Sequence, residues 1–526
     1  MYRPQGSAKL HSFCTSALEH RKVKMILLLL LILPVLFFFL FKNQKERRSK
    51  TLYPPSPPGL PIIGNLHQFD SCNPHFYLFK LAQKYGPLMS MKLGKVRVLI
   101  VSSAKMAKEV LKTHDLVFCS RPPSLGIQKL SYGGLDIAFS PYNDSWRELR
   151  KLCVLHLLSN KQVHSFRPIR EDEVNRMIKN LEVAGSSGED NAVNLSVTML
   201  NLTSTLICRI AFGKRFDENE SERRRFDELM IESQAMQGGF FVSDFLPWFS
   251  WVDKLSGLLS RLDKTFRDLD EFYQELIDER LDSNYKDKIM NPNNILDMLI
   301  QLKEQKLCSV DLTWDHIKAV LFDILVAGTD TSAAVTVWAM TALIKSPDAL
   351  KKLQTEIRET IGNKGFVNEN DVPKLPYLKA VIQETLRLYP PAPLLLPRET
   401  LEECIVEGYT ILPKTLVHIN AWAVARDPQS WENANEFLPE RFLNSSIDVI
   451  GKDFEVIPFG AGRRGCPGVS IGLATVDMAL ANLVYSFDWE LPKGVSKEDI
   501  DTDVLPGITM HKKNPLCLLP RNYVFA

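Results

Sequence analysis

The hydrophobic positions of this 526-residue chain fall into three regimes. Residues 25–41 form a continuous apolar run broken only by Pro34. A helix over that run reaches roughly 26 Å, the lower limit for crossing a bilayer. Next, Pro54, Pro55, Pro57, Pro58 and Pro61 crowd a stretch that cannot continue a helix and favours stiff, extended backbone. From about Gly59 onward the pattern reads as one folded unit dominated by helical periodicity, with a few short strands such as Val96–Val101. The class it predicts is mainly α with small β-sheets. One helix is expected over Trp314–Lys345, with Thr313 as its N-cap and a length of about 48 Å. Its apolar pattern is interrupted midway by Ala327, Gly328, Thr329, Asp330, Thr331 and Ser332. A second apolar helical run covers residues 469–483, and a strand is expected over residues 454–459.

Charge refines the N-terminal picture. Lys42, Lys45, Arg47, Arg48 and Lys50 follow the apolar run, which predicts a cytosolic downstream side. Arg21, Lys22 and Lys24 precede it, and Met25 stands at its start, so residues 1–24 are expected to be a dispensable prefix or to lie upstream of the true start. No small-residue cleavage site follows, which favours a retained anchor over a removed signal. The chain is thus divided into a prefix (1–24), a transmembrane anchor (25–41), a basic and proline-rich linker (42–61) and a catalytic body (62–526). Within the body, Phe240, Phe241, Phe245, Trp248, Phe249 and Trp251 surround Pro247. That density suits a membrane interface and a buried loop equally.

Composition is ordinary, at 45% hydrophobic and 24% charged with a net charge of +2, and gives no reason to invoke nucleic acid. Nine cysteines occur singly, with no C-x-x-C pair, so neither a zinc ribbon nor a disulfide framework is suggested, and reduced thiols fit better. Sequons at Asn143, Asn194, Asn201, Asn219 and Asn444 are expected to be unused in a cytosolic body.

The most specific chemistry lies in Phe459-Gly460-Ala461-Gly462-Arg463-Arg464-Gly465-Cys466-Pro467-Gly468. One cysteine sits in a glycine-rich loop, behind two arginines and ahead of a helical run. A thiolate there can receive backbone N–H hydrogen bonds, hold a haem iron axially and favour O–O cleavage. The same residues spell G-x-G-x-x-G after the expected strand, with Asp488 about twenty residues on, which is the dinucleotide fingerprint. Too few residues follow for a doubly wound sheet, and no alternating βαβ pattern precedes it. The filled pattern Phe-x-x-Gly-x-Arg-x-Cys-x-Gly resembles the haem loop of cytochromes P-450, in a form similar to plant microsomal members.

Three further constellations extend that resemblance over roughly residues 50–526. The mid-helix hydroxyl and carboxylate resemble the family's oxygen-binding groove, implying that Thr331 assists protonation there and Asp330 supplies protons. On the residues alone, Thr331 could instead simply bond a preceding carbonyl. Glu384 and Arg387 share a helix face; with Arg441 they resemble the family's buried triad, a structural device behind the haem. Trp146, Arg150, Arg398 and Arg464 resemble the donors that hold the haem propionates, a task suited to the planar guanidinium; Phe459 joins them as a cofactor contact.

The resemblance implies a cytochrome P-450 fold behind an N-terminal transmembrane anchor, with Cys466 ligating haem b. It also implies monooxygenation with O2, using NADPH electrons from a separate NADPH–cytochrome reductase and cytochrome b5 as an optional second donor. The expected location is the endoplasmic reticulum membrane, single-pass, with the catalytic domain facing the cytosol. The substrate would be a small hydrophobic plant specialised metabolite, in an apolar pocket that includes Ala327, Leu394, Leu395, Leu396 and Ile508. Residues 59–68 and 419–424 look like the plant branch that oxidises aldoximes, which is the narrower alternative. A haem-thiolate isomerase or dehydratase needing no external electrons is a second, disfavoured by Thr331. A non-catalytic membrane scaffold would leave Cys466 and Thr331 unexplained.

Overall fold

The computed structural model of the chain describes residues 52–186, 191–216, 220–282, 293–306 and 311–525. The expected prefix, the anchor and the first half of the linker (42–51) therefore lie outside the described residues, as does Asn219. Two compact units are distinguished: the smaller takes residues 1–53 with Glu407–Thr410, and the larger takes Pro54–Val406 and Ile411–Ala526. In the smaller, Thr410 N donates to Leu52 O at 2.8 Å. Every element that positions the site belongs to the larger, which is mainly helical with small sheets.

Five of its helices matter most: α1 (Asp144–Leu152), α2 (Leu195–Phe212), α3 (Trp314–Lys345), α4 (Pro376–Leu388) and α5 (Val469–Ser486). Helix α3 starts where the sequence predicts: the Thr313 hydroxyl accepts from His316 N, and the His316 side chain reaches back to complete a capping box. Asn143 and Asn194, both in sequons, serve as N-caps of α1 and α2. Among the described residues, three helices, α2, α3 and α5, are long and apolar enough to cross a membrane by composition. Most of α3 (78%) and just over half of α2 and α5 (56% each) is buried against protein, and α2 leaves Val197 and Leu200 exposed.

Helix α3 runs through two apolar clusters. Ile317, Val320, Leu321 and Leu325 pack with Leu206, Ile210 and Phe212 of α2. Its other half, including Val337, Met340 and Leu343, packs with Leu378 and Val381 of α4 and Leu480 and Val484 of α5. The small, polar interruption seen in the sequence falls between the clusters. There Val326, Ala327, Gly328 and Thr331 remain accessible on a helix otherwise almost wholly buried.

The larger sheet has the order β1–β2–β5–β4, from β1 (Leu88–Leu93), β2 (Val96–Val101), β4 (Arg398–Glu399) and β5 (Leu416–Ile419). Strand β2 runs parallel to β5, the other pairs are antiparallel, and Arg398 is in register with Val417. The smaller sheet, β3 (Val193–Asn194), β7 (Cys517–Asn522) and β6 (Phe487–Glu490), has the order β3–β7–β6.

One expected element is absent. Residues 454–459 form turn and coil rather than a strand. Pro458 has no N–H for a ladder, and Gly451 (φ 92°) and Gly460 (φ 66°) turn the chain on either side. The strand that a dinucleotide fingerprint requires before its glycines is therefore missing.

Candidate active site

Cys466 sits in a loop closed by its own amide, which donates to Phe459 O at 2.9 Å. Gly462 makes the tightest turn: its φ is +69°, and a Cβ there would stand 2.4 Å from Leu111 O, so only glycine fits. The Cys466 side chain is accessible and yet ringed by protein, as for a sulfur on the wall of a recess. Burial pushes its thiol pKa up, while the Gly468 amide and the Arg150 guanidinium pull it back. None of the cysteines among the described residues forms a disulfide.

The cysteine loop meets the centre of α3 through α5. A Cβ on Gly472 would lie 3.8 Å from Ser332 Oγ, next to Thr331 in sequence. Ala327 and Thr331 share one accessible face, four residues apart. The Thr331 hydroxyl donates to Ala327 O at 2.7 Å, the simple intrahelical bond. With its hydrogen committed there, the oxygen's lone pairs remain able to accept.

Two details of this groove differ from the sequence reading. Gly328, within the small-residue interruption, is packed by Ile207 of α2: a Cβ on it would stand 2.7 Å from Ile207 Cδ1. The accessible small residue is Ala327. Asp330 does not stand beside Thr331 in space. Successive helical residues diverge by about 100°, and Asp330 Oδ2 turns instead to His511 Nε2, 3.1 Å away.

The predicted cationic group converges. Arg464 stacks on Trp146 of α1, 3.7 Å from the ring centroid, and Arg150 approaches the same ring at 5.7 Å. Their N–H groups, however, find protein oxygens. Trp146 Nε1 donates to Ile137 O (3.0 Å), Arg150 Nη2 to Gly465 O (2.5 Å) and Arg398 Nη2 to Ala461 O (2.9 Å). Arg464 gives Nε to Cys119 O (2.7 Å) and Nη2 to Ser140 O (2.6 Å). Buried guanidinium groups must be satisfied, and nearby backbone carbonyls do this. Arg464 Nη1 alone of these is buried without a partner.

Charge in this region is unbalanced. Burial, partly offset by Asp115, lowers the Arg398 pKa to about 10. Burial, offset by Cys119 but reinforced by Arg398 and Arg150, lowers Arg464 to about 9. Arg121, which the sequence reading missed, adds a fourth guanidinium whose pKa burial and Arg464 push well down. Asp115 was missed as well; it contacts Arg398 at 3.5 Å and Arg463 at 3.1 Å. Neither has a local sequence signal, since their partners, apart from Ala138 O on Arg121, lie hundreds of residues away.

The triad assembles. Arg387 makes a fork to Glu384 (2.6 and 2.8 Å), and Arg441 Nε reaches Glu384 Oε1 at 3.3 Å. Arg387 also donates to the carbonyls of Ala425, Ala434 and Glu436, so α4 holds the segment leading to the cysteine loop. Of the expected pocket residues, Leu394, Leu395, Leu396 and Ile508 are each partly buried and Ala327 is exposed. Leu394, Leu395 and Leu396 are half-buried, Leu395 with φ +51°, and Arg121 Nη1 holds Leu396 O at 2.8 Å. A Cβ on Gly460 would lie 3.8 Å from Leu395 Cδ1. Ile508 is half-buried in a segment tied to the same stretch by Met510 N donating to Pro391 O at 2.8 Å. Phe459 packs against the cluster of α4 and α5.

Comparison with known proteins agrees with this geometry. The family pattern described as Cytochrome P450 matches residues 54–519. A 6,7,8-trihydroxycoumarin synthase of Pastinaca sativa is 50% identical over 481 residues, 90% of this chain and 94% of that protein. A 5-OH-xanthotoxin synthase of Ammi majus is 47% identical over 490 residues, 92% and 95% of the two chains. A solved zebra fish cytochrome P450 with progesterone aligns with a TM-score of 0.72 at 24% identity, covering 85% of this chain and 99% of that one, which shows the fold. The chain belongs to the cytochrome P450 family and is a plant-type monooxygenase of it.

Proposed function

We propose that this monooxygenase inserts one oxygen atom into a small, planar, hydrophobic plant metabolite of the coumarin type. The observation that carries the reading is the 50% identity to a protein named for a trihydroxylated coumarin. The 5-OH-xanthotoxin synthases, also named for a hydroxylated product, support it. An apolar pocket that recognises shape suits such a ring system.

The cofactor in this reading is haem b, whose iron the Cys466 thiolate would hold. The donor set fits: an accessible thiol in a recess, and a buried cationic group short of counter-charge, with Arg464 Nη1 unpartnered. Arg464, Arg398 and Arg150 would hold the two propionates, with Trp146 bracing Arg464 and Phe459 closing the loop behind the sulfur. When bound, the haem would supply the oxygen chemistry, in which O2, two NADPH electrons from a separate reductase and two protons yield one inserted oxygen atom and one water. Ala327, Leu394, Leu395, Leu396 and Ile508 orient the substrate and exclude water. Thr331, its hydrogen held by Ala327 O, accepts a hydrogen bond and orders water, and Asp330 delivers protons towards it. Glu384, Arg387 and Arg441 keep the cysteine loop in position.

For location the reading is the endoplasmic reticulum membrane, with residues 25–41 as anchor. The aromatic segment supports a second contact. Phe241 is fully buried, whereas Phe240, Trp248, Phe249 and Trp251 are exposed, Trp248 by 69%. Lys95 N donates to Phe245 O (2.9 Å) and Gly94 N to Ile63 O (3.0 Å), which sets these rings near exposed Leu60 and Ile62. Such a patch suits a headgroup layer.

The test is a reduced, carbon-monoxide difference spectrum of the membrane-bound protein beside Cys466→Ser, followed by coumarin turnover with NADPH and a reductase. A red-shifted Soret band lost in the variant, and an NADPH-dependent hydroxylated product, are expected. Turnover of an aldoxime and not of coumarins would move the substrate to the alternative branch. NADPH-independent conversion would indicate an isomerase or dehydratase.

A further inference from the structure

His511 lies on no motif. It sits in the C-terminal segment, three residues after Ile508, with its amide on Thr509 O (3.2 Å) and its carbonyl receiving Leu505 N (2.9 Å). The neighbouring residue is fixed to the core: Met510 N donates to Pro391 O, and Trp338 Nε1 of α3 donates to Met510 O at 2.7 Å. This places the His511 ring against the middle of α3. Its Nε2 stands 3.1 Å from Asp330 Oδ2, the only ion-pair partner of Asp330 among the described residues. The Asp330 side chain is 13% exposed and that of His511 is 31% exposed, so the imidazole is the more accessible member of the pair. Other charges nearby are already engaged: Lys512 is 3.5 Å from Asp501 and also faces Lys345 and Asp503.

Resting on the monooxygenase reading above, we propose that His511 is a positioning residue that holds Asp330 turned away from Thr331 and passes protons to it from solvent. The step balances without electrons. The imidazolium gives its Nε2 proton to the Asp330 carboxylate, becomes neutral and is reprotonated by water. Release of the neutral carboxylic acid from the ring frees Asp330 to turn towards Thr331. The segment that carries His511 also carries Ile508, so the pocket wall and the proton entry share one anchored loop.

The experiment compares wild type, His511→Gln, Asp330→Asn, the double variant and Thr331→Ala, each full-length in membranes with reductase. The readouts are the share of consumed NADPH released as peroxide, measured across pH, and the thermal midpoint of each protein. Glutamine keeps a donor but cannot carry a proton. The expected result is a normal carbon-monoxide spectrum for His511→Gln and loss of the wild-type inflection in the pH profile. Peroxide should rise roughly tenfold, below the ~10²-fold or more that a positioned acid itself contributes. The thermal midpoints of the 330 and 511 variants should be non-additive, as for side chains in contact. If His511→Gln matches wild type in pH profile and peroxide while Thr331→Ala leaks peroxide, the proposal falls and the monooxygenase reading stands. Non-additive midpoints with unchanged kinetics would make the pair merely structural and also overturn it. Absence of NADPH-dependent product and peroxide from wild type would overturn both. Should His511→Gln fail to give the haem spectrum, His511→Asn carries the same comparison.

Discussion

The guanidinium carbon of Arg464 stands over the indole of Trp146, 3.7 Å from its centroid, with the buried Nη1 left without a partner. The ring restrains the guanidinium while two backbone carbonyls hold its other nitrogens. An orphaned, charged donor in this position is costly unless an anion completes it.

Replacing Arg464 by alanine should therefore weaken haem retention. A hydrogen bond to a charged group is worth about 1.5–3 kcal/mol, so haem loss to a scavenging protein should speed up by about tenfold or more. Lysine should rescue only part of this, because it lacks the planar fork. Unchanged haem loss in Arg464→Ala would contradict the assignment.

Glu384 and Arg387 are both fully buried and bonded to each other at 2.6 Å. Arg387→Ala would leave a buried carboxylate without its fork, a loss of about 3–5 kcal/mol. Little folded protein and no carbon-monoxide band are expected. Glu384→Gln, which can still accept from Arg387, should be milder. Equal yields of folded protein from wild type and Arg387→Ala would count against the pair as the tether of the cysteine-loop segment.

A pH effect should come from a different pair. Asp323 on α3 accepts Ile137 N (2.8 Å) and Ala138 N (3.0 Å), and it lies against Asp136. Burial, then the Asp136 charge, push the Asp323 pKa well up, and burial also raises Asp136 despite its bonds to Phe139 and Ser140 and the charge of Arg121. An acid whose pKa rises on folding costs nothing below its unfolded value of about 4, and it removes stability as pH climbs from there towards the folded value. Asp323→Asn keeps an oxygen for both amides and does not titrate. Relative to wild type it should gain stability as pH rises from about 4.5 to about 7, by at most ~1.4 kcal/mol per pH unit. Thermal midpoints of the two proteins at each pH check this, and a constant difference would refute it.

Much of the site is legible because its determinants are local. The glycines around Cys466 answer to turns within ten residues, and Thr313 caps its own helix. The interruption in α3 stands out because the helix is otherwise apolar. Local reasoning fails where one residue type serves two purposes. Gly328 looks like room for a ligand, yet its missing Cβ makes room for Ile207. Residues 454–459 look like a strand, but they have no partner strand. Asp330 and Thr331 are neighbours in sequence, and the helical twist sends them to different surroundings.

Sequence alone determined the haem-loop pattern and the long central helix with its cap, since each depends on short-range spacing and backbone geometry; the members of the cationic group came from the family resemblance. Tertiary structure decided which oxygen each guanidinium meets, that Arg121 and Asp115 join them, and that His511 rather than Thr331 faces Asp330. Those outcomes depend on chain segments brought together by burial of apolar surface. Contacts between such distant segments leave no periodic or local trace in a single chain.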